Sequence, residues 1–524
     1  MELIFFYISF CILFMSCSGY GILVRKILGF NFSLNIGINS IFGIIFLTFL
    51  SYVLIFIISS TKYFNILIHI IGLYLFILNF KKIKLSKKEI FIFIILSSCI
   101  FISKTHDDFG FYHLQQSLNL GENKLIIGLA NLDFSYAYHS SLIYLNSLFY
   151  FPYYKFYFFN FVNGILLISS TLIFYKIIYD IKIEKFSRYF SLFCLTFILI
   201  KFSRLSEFGT DLAGQIIILL SFSVMLNYLS KNKYNFDDIK TIILLATYCL
   251  TIKTYFIFYL FLPLILLYFL SFFKIIKFIK LNKIFLSFIF AFLFLFVVLN
   301  VLVSGCIVFP INQLCFQQLS WAMPNSEVIA YREWFEIWSK SLAGAGYITE
   351  NPSSFLNDFK WVKVWIKNYS QKYLETIYLL IFLSIIFILT FKSKKKISNK
   401  SSYRSFIILI TFIIGLLSFW SFKHPTLRYG GYLIHISIFA MIVSYFISYN
   451  NMSNLEFEKK SKVFIIIALF IFMSKNIIRI NEEIMTNNEY KYSNFLFFFV
   501  KKVQYNKLNL SKDFYVSNAN GKLC

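Results

Sequence analysis

The chain has 524 residues and a formal net charge of +26, with 59% hydrophobic and only 14% charged residues. A soluble domain cannot bury that much apolar surface in one core, so this composition excludes an ordinary soluble globular protein. The positive charge lies in short segments between apolar runs, as expected for a membrane protein, which argues against a nucleic-acid-binding surface.

Apolar runs long enough to cross a bilayer recur along the chain and are continuous rather than alternating, which favours helices over a β-barrel. We therefore predict an all-α integral membrane protein with about fourteen transmembrane helices. The spans 89–103 and 187–202 are short and need tilt or burial among neighbours, and 239–253 with 255–272 form either two spans or one bent element. The predicted spans are 3–23, 36–59, 64–80, 89–103, 156–178, 187–202, 211–229, 239–253, 255–272, 283–303, 372–391, 404–421, 430–449 and 462–478.

Lysine and arginine are concentrated in every second gap between spans, for example in 81–88 and 392–404. The positive-inside rule makes these gaps cytoplasmic and directs the alternate gaps outward. The predicted regions are N-terminal transmembrane helices (1–103), an extracytoplasmic loop (104–155), central transmembrane helices (156–303), a Trp-rich extracytoplasmic loop (304–371), C-terminal transmembrane helices (372–478) and an extracytoplasmic tail (479–524).

The two long outward loops exceed the length of simple connectors. The first ends in an aromatic stretch, Tyr136–Tyr154, which we expect to lie in the membrane interface. The second, Trp-rich loop is expected to rest on the membrane surface or to stack on a sugar ring. It holds Cys306 and Cys315, which we predict to form a disulfide. The sequence has no Cys or His pattern typical of a metal site.

An acidic pair, Asp107 and Asp108, directly follows the fourth predicted span, with Tyr112 and His113 shortly after it. A carboxylate at a membrane boundary is costly to desolvate, and in a pair one partner's pKa is raised, which suits a general base. The alternative is that the pair caps the helix that follows. Asp211 opens another span and has the same two interpretations.

Two basic residues on the predicted outward side, Arg428 and Lys253, also have a functional and a structural interpretation. Arg428, after Pro425 and before two glycines, is a planar donor suited to a phosphate, and Tyr429 follows it. Lys253 ends a short span. The alternative for both cations is a side chain that extends along the helix to reach water.

The order of these pieces resembles the GT-C superfamily of polytopic glycosyltransferases, which use polyprenyl-phosphate-linked sugars. More narrowly, the segments 108–115, 128–132, 146–149 and 304–310, with Trp321 and Pro324 downstream, resemble a group of uncharacterised bacterial membrane proteins within that superfamily. The resemblance covers most of residues 90–450. The chain departs from many members in having three spans before the span that leads to the acidic loop.

The resemblance implies a bacterial inner-membrane enzyme that moves a sugar from a polyprenyl-phosphate carrier to a lipid-linked or cell-envelope glycan at the extracytoplasmic face. Asp108, with Asp107 beside it, is then the base, and Arg428 and Lys253 face the donor phosphate. Tyr112, His113, Asp211 and Tyr429 are supporting residues. No cofactor beyond the lipid-linked donor is implied, and the acidic pair does not decide whether a divalent metal takes part.

Two other functions remain open from the sequence. The first is a polysaccharide polymerase or O-antigen-ligase-like protein, which would rely on outward arginines around a pocket. The second is a flippase or transporter, which would place charged groups near mid-depth in the membrane. The glycosyltransferase interpretation instead expects Asp108 and Arg428 to border one outward-facing cavity.

Overall fold

The computed structural model describes most of the chain, and its helices account for nearly all of that part. The described residues are 2–31, 35–58, 61–83, 85–102, 107–109, 112–152, 154, 156–205, 209–230, 235–342, 349, 351–392, 401–450, 452–485, 505–507, 515–519 and 522–523. Three short strands near the C-terminus, Tyr505–Lys507, Tyr515–Ala519 and Lys522–Leu523, pair antiparallel in that order.

The α-helices are α1 (Glu2–Ile27), α2 (Ile36–Ile57), α3 (Phe64–Asn79), α4 (Lys87–Ser97), α5 (His113–Glu122), α6 (Ser141–Leu148), α7 (Phe159–Tyr179), α8 (Lys185–Lys201), α9 (Asp211–Ser230), α10 (Phe236–Ile252), α11 (Phe261–Tyr268), α12 (Phe272–Leu281), α13 (Lys283–Ser304), α14 (Asn325–Ser341), α15 (Pro352–Asn357), α16 (Lys360–Phe391), α17 (Ser401–Lys423), α18 (Tyr432–Ser448) and α19 (Asn454–Met485). Short 3₁₀ turns connect several of them, among them Ser98–Phe101, Asp107–Phe109 and Thr254–Leu260.

Within the described residues, ten helices are long and apolar enough to cross a membrane, or up to eleven if a bent pair counts as one span. This confirms a multi-pass helical membrane protein, whereas the predicted count of fourteen is not confirmed. The predicted span 89–103 is only an 11-residue helix, α4, followed by a 3₁₀ turn. The bent pair is Thr254–Tyr268 with Phe272–Leu281, which meet at 115°.

Two other predicted spans, 187–202 and 239–253, are the 17-residue helices α8 and α10. At 1.5 Å per residue each is about 25 Å long, shorter than a bilayer core. Both are buried along most of their length, so neighbouring helices rather than lipid surround them. Their short length is therefore compatible with a position inside the helix bundle.

The aromatic stretch Tyr136–Tyr154 does not form an interfacial helix, and that expectation was wrong. Its helical part, α6, is buried at every residue and packs against α2 and α5. Even its polar residues Ser141, Asn146 and Ser147 are buried, so no face of α6 is left for the membrane interface.

The predicted disulfide between Cys306 and Cys315 is present. It lies in a small second core that joins the two long loops, since Leu129 and Tyr136 of the first loop pack there with Phe309 and Val328 of the second. The Trp-rich region is largely helical: α14 carries Trp334 and Trp338, while Trp361 and Trp365 belong to α16. The bridge thus lies in the layer that the two long loops form over the helix ends on their side of the bundle.

The two ends of helix α10 lie on opposite sides of the helix bundle. At its start, Lys240 pairs with Asp237 and donates to the carbonyl oxygens of Leu28 and Gly29 after α1. At its other end lies Lys253. The first end belongs to the side with the basic gaps, and the second to the side with the long loops.

The first three helices pack through glycines. A Cβ atom added at Gly21 would overlap the Asn39 carbonyl of α2, and one at Gly43 would overlap the Cys17 carbonyl of α1. Small residues that let helix backbones touch are a common basis of helix association in membranes.

We expect Gly21→Ala to destabilise the protein by about 1–3 kcal/mol, because the added methyl group meets a backbone carbonyl that cannot move aside. Gly415→Ala is the matched control: Gly415 lies in α17 with nothing within 4 Å of its added Cβ. There, alanine is expected to be neutral or to stabilise by up to ~1 kcal/mol through helix propensity. The measurement is the thermal unfolding midpoint in detergent. Equal effects of both changes would contradict the close packing of α1 on α2.

Candidate functional site

Four charged side chains meet where helices end on the side of the long loops. Asp211 opens α9, Lys253 follows α10, Arg428 precedes α18, and Asp108 lies in the 3₁₀ turn before α5. Arg428 Nε donates to Asp211 Oδ2 at 2.9 Å, and its Nη2 lies 3.3 Å from Asp108 Oδ2. Lys253 Nζ pairs with Asp211 Oδ1. We call these four residues the charged cluster.

The charged cluster brings together residues that the sequence singled out separately. Asp108 and Arg428 are 320 residues apart in the chain. The helix-capping alternative does not account for Asp108, since α5 begins after Tyr112 without a side-chain cap. Lys253 is ion-paired with a carboxylate, so its alternative role as a cation that reaches for water does not describe it either.

The two carboxylates of the charged cluster differ in accessibility. The Asp211 side chain is 11% exposed, whereas those of Asp108 and Arg428 are 32% and 33% exposed. The carboxylate of Asp211 also lies closer to Arg428 than that of Asp108 does, 2.9 Å against 3.3 Å, and it pairs with Lys253 as well. Asp211 is therefore the fixed counter-ion, and Asp108 is the carboxylate that a second molecule can reach.

The turn that carries Arg428 is held by three side chains from two helices, α16 and α17. Trp365 donates to the carbonyl of Pro425, and Trp420 donates to that of Thr426. The Leu427 N–H donates to the hydroxyl of Tyr369. These bonds satisfy backbone groups at the start of the turn, whose residues Leu427–Gly431 form a π-helical turn that is interrupted at Tyr429 and Gly430.

Gln215 and Gly430 complete the turn. Gln215 of α9 donates to the carbonyl of Arg428 and accepts from the N–H of Leu433, at 3.1 Å and 2.8 Å. Gly430 has φ +82°, a conformation that favours glycine, and this lets the chain turn directly after Tyr429 into α18. The position of Arg428 thus depends on α9 twice, through Asp211 and through Gln215.

An aromatic wall covers the charged cluster. The ring of Tyr429 lies 4.1 Å from Lys253 Nζ and 5.3 Å from the Arg428 guanidinium, measured to the ring centroid. Trp338 of α14 lies 5.3 Å from the same guanidinium, and Phe335 packs on Tyr429 at 5.3 Å. Cations over aromatic faces gain attraction where water is partly excluded. The wall therefore stabilises both cations beside the carboxylates.

His424 lies at the edge of this wall and is uncharged at neutral pH. Its Nδ1 is 2.8 Å from the hydroxyl of Ser339, and its ring packs against Phe335. Burial lowers the pKa of His424 to about 4, opposed by the negative charge of Glu336. A neutral imidazole here adds no charge to the charged cluster.

The supporting residues lie close to Asp108. The backbone N–H of Tyr112 donates to the carbonyl of Asp108, and its ring packs on His113, which is buried at the start of α5. Burial and the charge of Asp108 raise the pKa of the Tyr112 hydroxyl, so it stays protonated. The side chain of Asp107 lies outside the part of the chain that the structure describes.

A small cavity with a mixed polar and apolar lining adjoins the start of α9. Its lining includes His113, Asn146, Asn163 and Thr210, and its volume is about 10 Å³, room for one water molecule. Asp108 and Arg428 are not part of this lining, and they contact each other directly. Among the described residues, no group of three or more His, Cys, Asp or Glu could hold a metal ion.

Sequence reasoning missed Gln215, Trp338 and Phe335. Gln215 lies one turn after Asp211, on the same face of α9. This spacing of two polar residues in an apolar helix is the feature of the sequence that could have identified Gln215 as part of the site. Phe335 and Trp338 are three residues apart on α14, which also places them on one helix face.

A family model, described as a domain of unknown function (DUF8201), matches residues 3–435. No curated protein and no solved structure matches the chain. The matched range includes all four members of the charged cluster and the helices that position them. The chain therefore belongs to the DUF8201 family.

Proposed function

We propose that the protein is a membrane glycosyltransferase that uses a polyprenyl-phosphate-linked sugar. The observation that carries the proposal is the ion pair between Asp108 and Arg428. It joins an accessible carboxylate to an accessible guanidinium at the ends of helices, as transfer from a lipid phosphate to a hydroxyl requires. The substrates would be the lipid-linked sugar and a lipid-linked or cell-envelope glycan.

The two acids take different roles in this proposal. Asp108 accepts the proton of the acceptor hydroxyl, since it is the more exposed carboxylate and has the longer contact with Arg428. Asp211 stays ionised between Lys253 and Arg428 and keeps both cations in place. Tyr112 and His113 position the turn that carries Asp108, and Tyr429 shields the cations from water.

The transfer step balances without a further reactant. The acceptor oxygen bonds to the anomeric carbon of the sugar while the bond from that carbon to the phosphate oxygen breaks. The proton of the hydroxyl goes to Asp108, and the electron pair of the broken bond leaves with the polyprenyl phosphate. Arg428 stabilises the negative charge that develops on the departing oxygen.

Donor binding and base activation compete for the same guanidinium. A carboxylate paired with arginine is a weak base, because the pair favours its ionised form. A phosphate that engages the Nη2 edge of Arg428 displaces Asp108 from it and thereby raises the basicity of that carboxylate. The base would then be active only when the donor is present.

The location of the charged cluster favours this function over transport. All four members lie at helix ends on one side, whereas a transporter is expected to hold charged groups near mid-depth. An arginine shared by two carboxylates also differs from the outward arginines expected around a polymerase pocket. The disulfide in the layer formed by the two long loops supports an extracytoplasmic active face in an inner membrane. The proposed count of fourteen spans requires that the short helices also cross the membrane.

We expect Asp108→Asn to abolish sugar transfer while leaving insertion and folding intact, because the amide cannot accept the acceptor proton. Loss of a general base lowers the rate by about 10²–10⁴-fold. The measurement is mass spectrometry of envelope glycans from cells that make each variant, compared with cells that lack the protein.

The matched control for this change is Asp133→Asn. Asp133 lies in the same loop and caps a 3₁₀ turn through the N–H of Ser135. Asparagine caps such turns equally well, so this variant is expected to behave like wild type. A full glycan product from Asp108→Asn would contradict the assignment of the base.

Arg428→Lys is expected to impair transfer strongly, even though the charge is kept. A lysine presents one ammonium group and cannot donate to Asp211 and Asp108 through two fixed nitrogens at once. Loss of one charge-assisted bond, about 1.5–3 kcal/mol, corresponds to roughly a ten- to hundredfold loss in apparent donor affinity.

The measurement for Arg428→Lys is donor titration with purified protein in nanodiscs, beside Arg428→Ala. The matched control is Arg332→Lys, because Arg332 is exposed and contacts only one side-chain oxygen, that of Asn312, at 3.1 Å. If Arg428→Lys behaves like wild type while Arg428→Ala fails, the residue supplies charge alone, and the proposed donation from one guanidinium to both Asp211 and Asp108 is not needed for function.

A further inference from the structure

The cations of the charged cluster are already matched by carboxylates. Arg428 and Lys253 face Asp211 and Asp108, so the cluster as a whole is neutral. A phosphate that arrives there adds negative charge to a site with no surplus cation. The donor phosphate therefore needs positive charge from outside the charged cluster.

Lysines from three helices converge beside it. Lys201 ends α8, and Lys475 of α19 donates to the carbonyl of Ile200 at 2.7 Å, which places these two side chains next to each other. Lys372 of α16 lies 5.8 Å from the ring centroid of Tyr369, whose hydroxyl accepts from the N–H of Leu427. We call Lys201, Lys372 and Lys475 the lysine group.

The lysine group lies within electrostatic range of further charges. Lys372 interacts with Lys201, Arg204, Arg428 and Glu375. Lys475 interacts with Lys201 and Arg479, and Glu482 lies one turn after Arg479 on α19. Among the described residues, five cations outside the charged cluster (Lys201, Arg204, Lys372, Lys475 and Arg479) outnumber the two acids Glu375 and Glu482, so positive charge is in excess there. Like charges held together at a membrane boundary are unfavourable unless an anion joins them.

The surface below the lysine group is apolar. Along α16, Leu374, Tyr378 and Phe382 are exposed, and along α19, Phe470 and Met473 are exposed. Helices α16 and α19 contact each other, so these exposed apolar residues belong to neighbouring helices. A molecule with an anionic head and a long hydrocarbon chain matches both parts of this surface, whereas a free inorganic anion matches only the first.

We infer that the lysine group binds the phosphate of a membrane lipid whose chain lies along α16 and α19. Each ammonium has three donors, so Lys475 retains donors for a phosphate oxygen besides its bond to Ile200. The contact from Lys372 through Tyr369 to the Arg428 turn places this phosphate next to the reacting groups. That the lipid is the sugar donor rests on the proposed function; the lipid-phosphate site itself does not.

The test is lipid binding to the purified full-length protein, followed by native mass spectrometry. The probes are polyprenyl phosphate and, separately, phosphatidylglycerol. In the variant Lys201→Gln/Lys372→Gln/Lys475→Gln we expect polyprenyl phosphate to bind about tenfold or more weakly, the loss of at least one charge-assisted contact.

The matched control is Lys277→Gln/Lys280→Gln/Lys283→Gln. It removes three exposed lysines around the end of α12, on the side of the basic gaps. This variant should bind polyprenyl phosphate like wild type. Gel filtration and the unfolding midpoint of both triple variants check that neither loss comes from misfolding.

One result would overturn the inference, and a second would overturn only its link to the sugar donor. If neither lipid binds more weakly to the first variant, the lysine group is no lipid-phosphate site. If phosphatidylglycerol alone binds more weakly, the group serves bulk phospholipid and not the donor. Asp108→Asn separates this inference from the proposed function: full transfer by Asp108→Asn, with polyprenyl phosphate still lost from the lysine variant, would refute the proposed base and leave the lipid site standing.

Discussion

The carboxylate of Asp211 is bonded to two cations that come from two other parts of the bundle. One oxygen faces Lys253 at the end of α10, and the other faces Arg428 before α18. Removing one partner of a buried charge group typically costs about 3–5 kcal/mol, because the remaining charges stay buried and unpaired. The mutual position of three helix ends, and the aim of the arginine, both depend on this one side chain.

Around Asp211 and its two cations, the side chains of the site differ in how far they are exposed. Asp211 is almost covered, Tyr429 is buried between the cations, and Asp108 and Arg428 are partly exposed on the side of the long loops. A reacting site needs this gradient, since the preorganised charges must not move while the reacting carboxylate must be reachable. The neutrality of the charged cluster and the surplus of positive charge in the lysine group divide two tasks, proton transfer and anion binding, between adjacent surfaces.

The sequence predicts the helical membrane character and the residues of the charged cluster, because hydropathy and a charge beside an apolar run are local properties. It does not predict which charges pair, since Asp211 and Arg428 are brought together only by tertiary packing. It also fails for α6, which is buried inside the protein instead of lying in the membrane interface. An apolar segment inside the bundle and one facing lipid have the same composition, so burial by neighbouring helices cannot be read from hydropathy.

Because the chain is synthesised from its N-terminus, the salt bridge between Asp211 and Lys253 can form before the one between Asp211 and Arg428. These residues are 42 positions apart, whereas Arg428 follows Asp211 by 217. At roughly 5–20 residues per second, the ribosome needs about 10–40 s to pass from Asp211 to Arg428. Lys253 is thus the partner that can neutralise Asp211 while the later helices are still being synthesised, so the nascent α9–α10 pair enters the membrane without an unmatched acid.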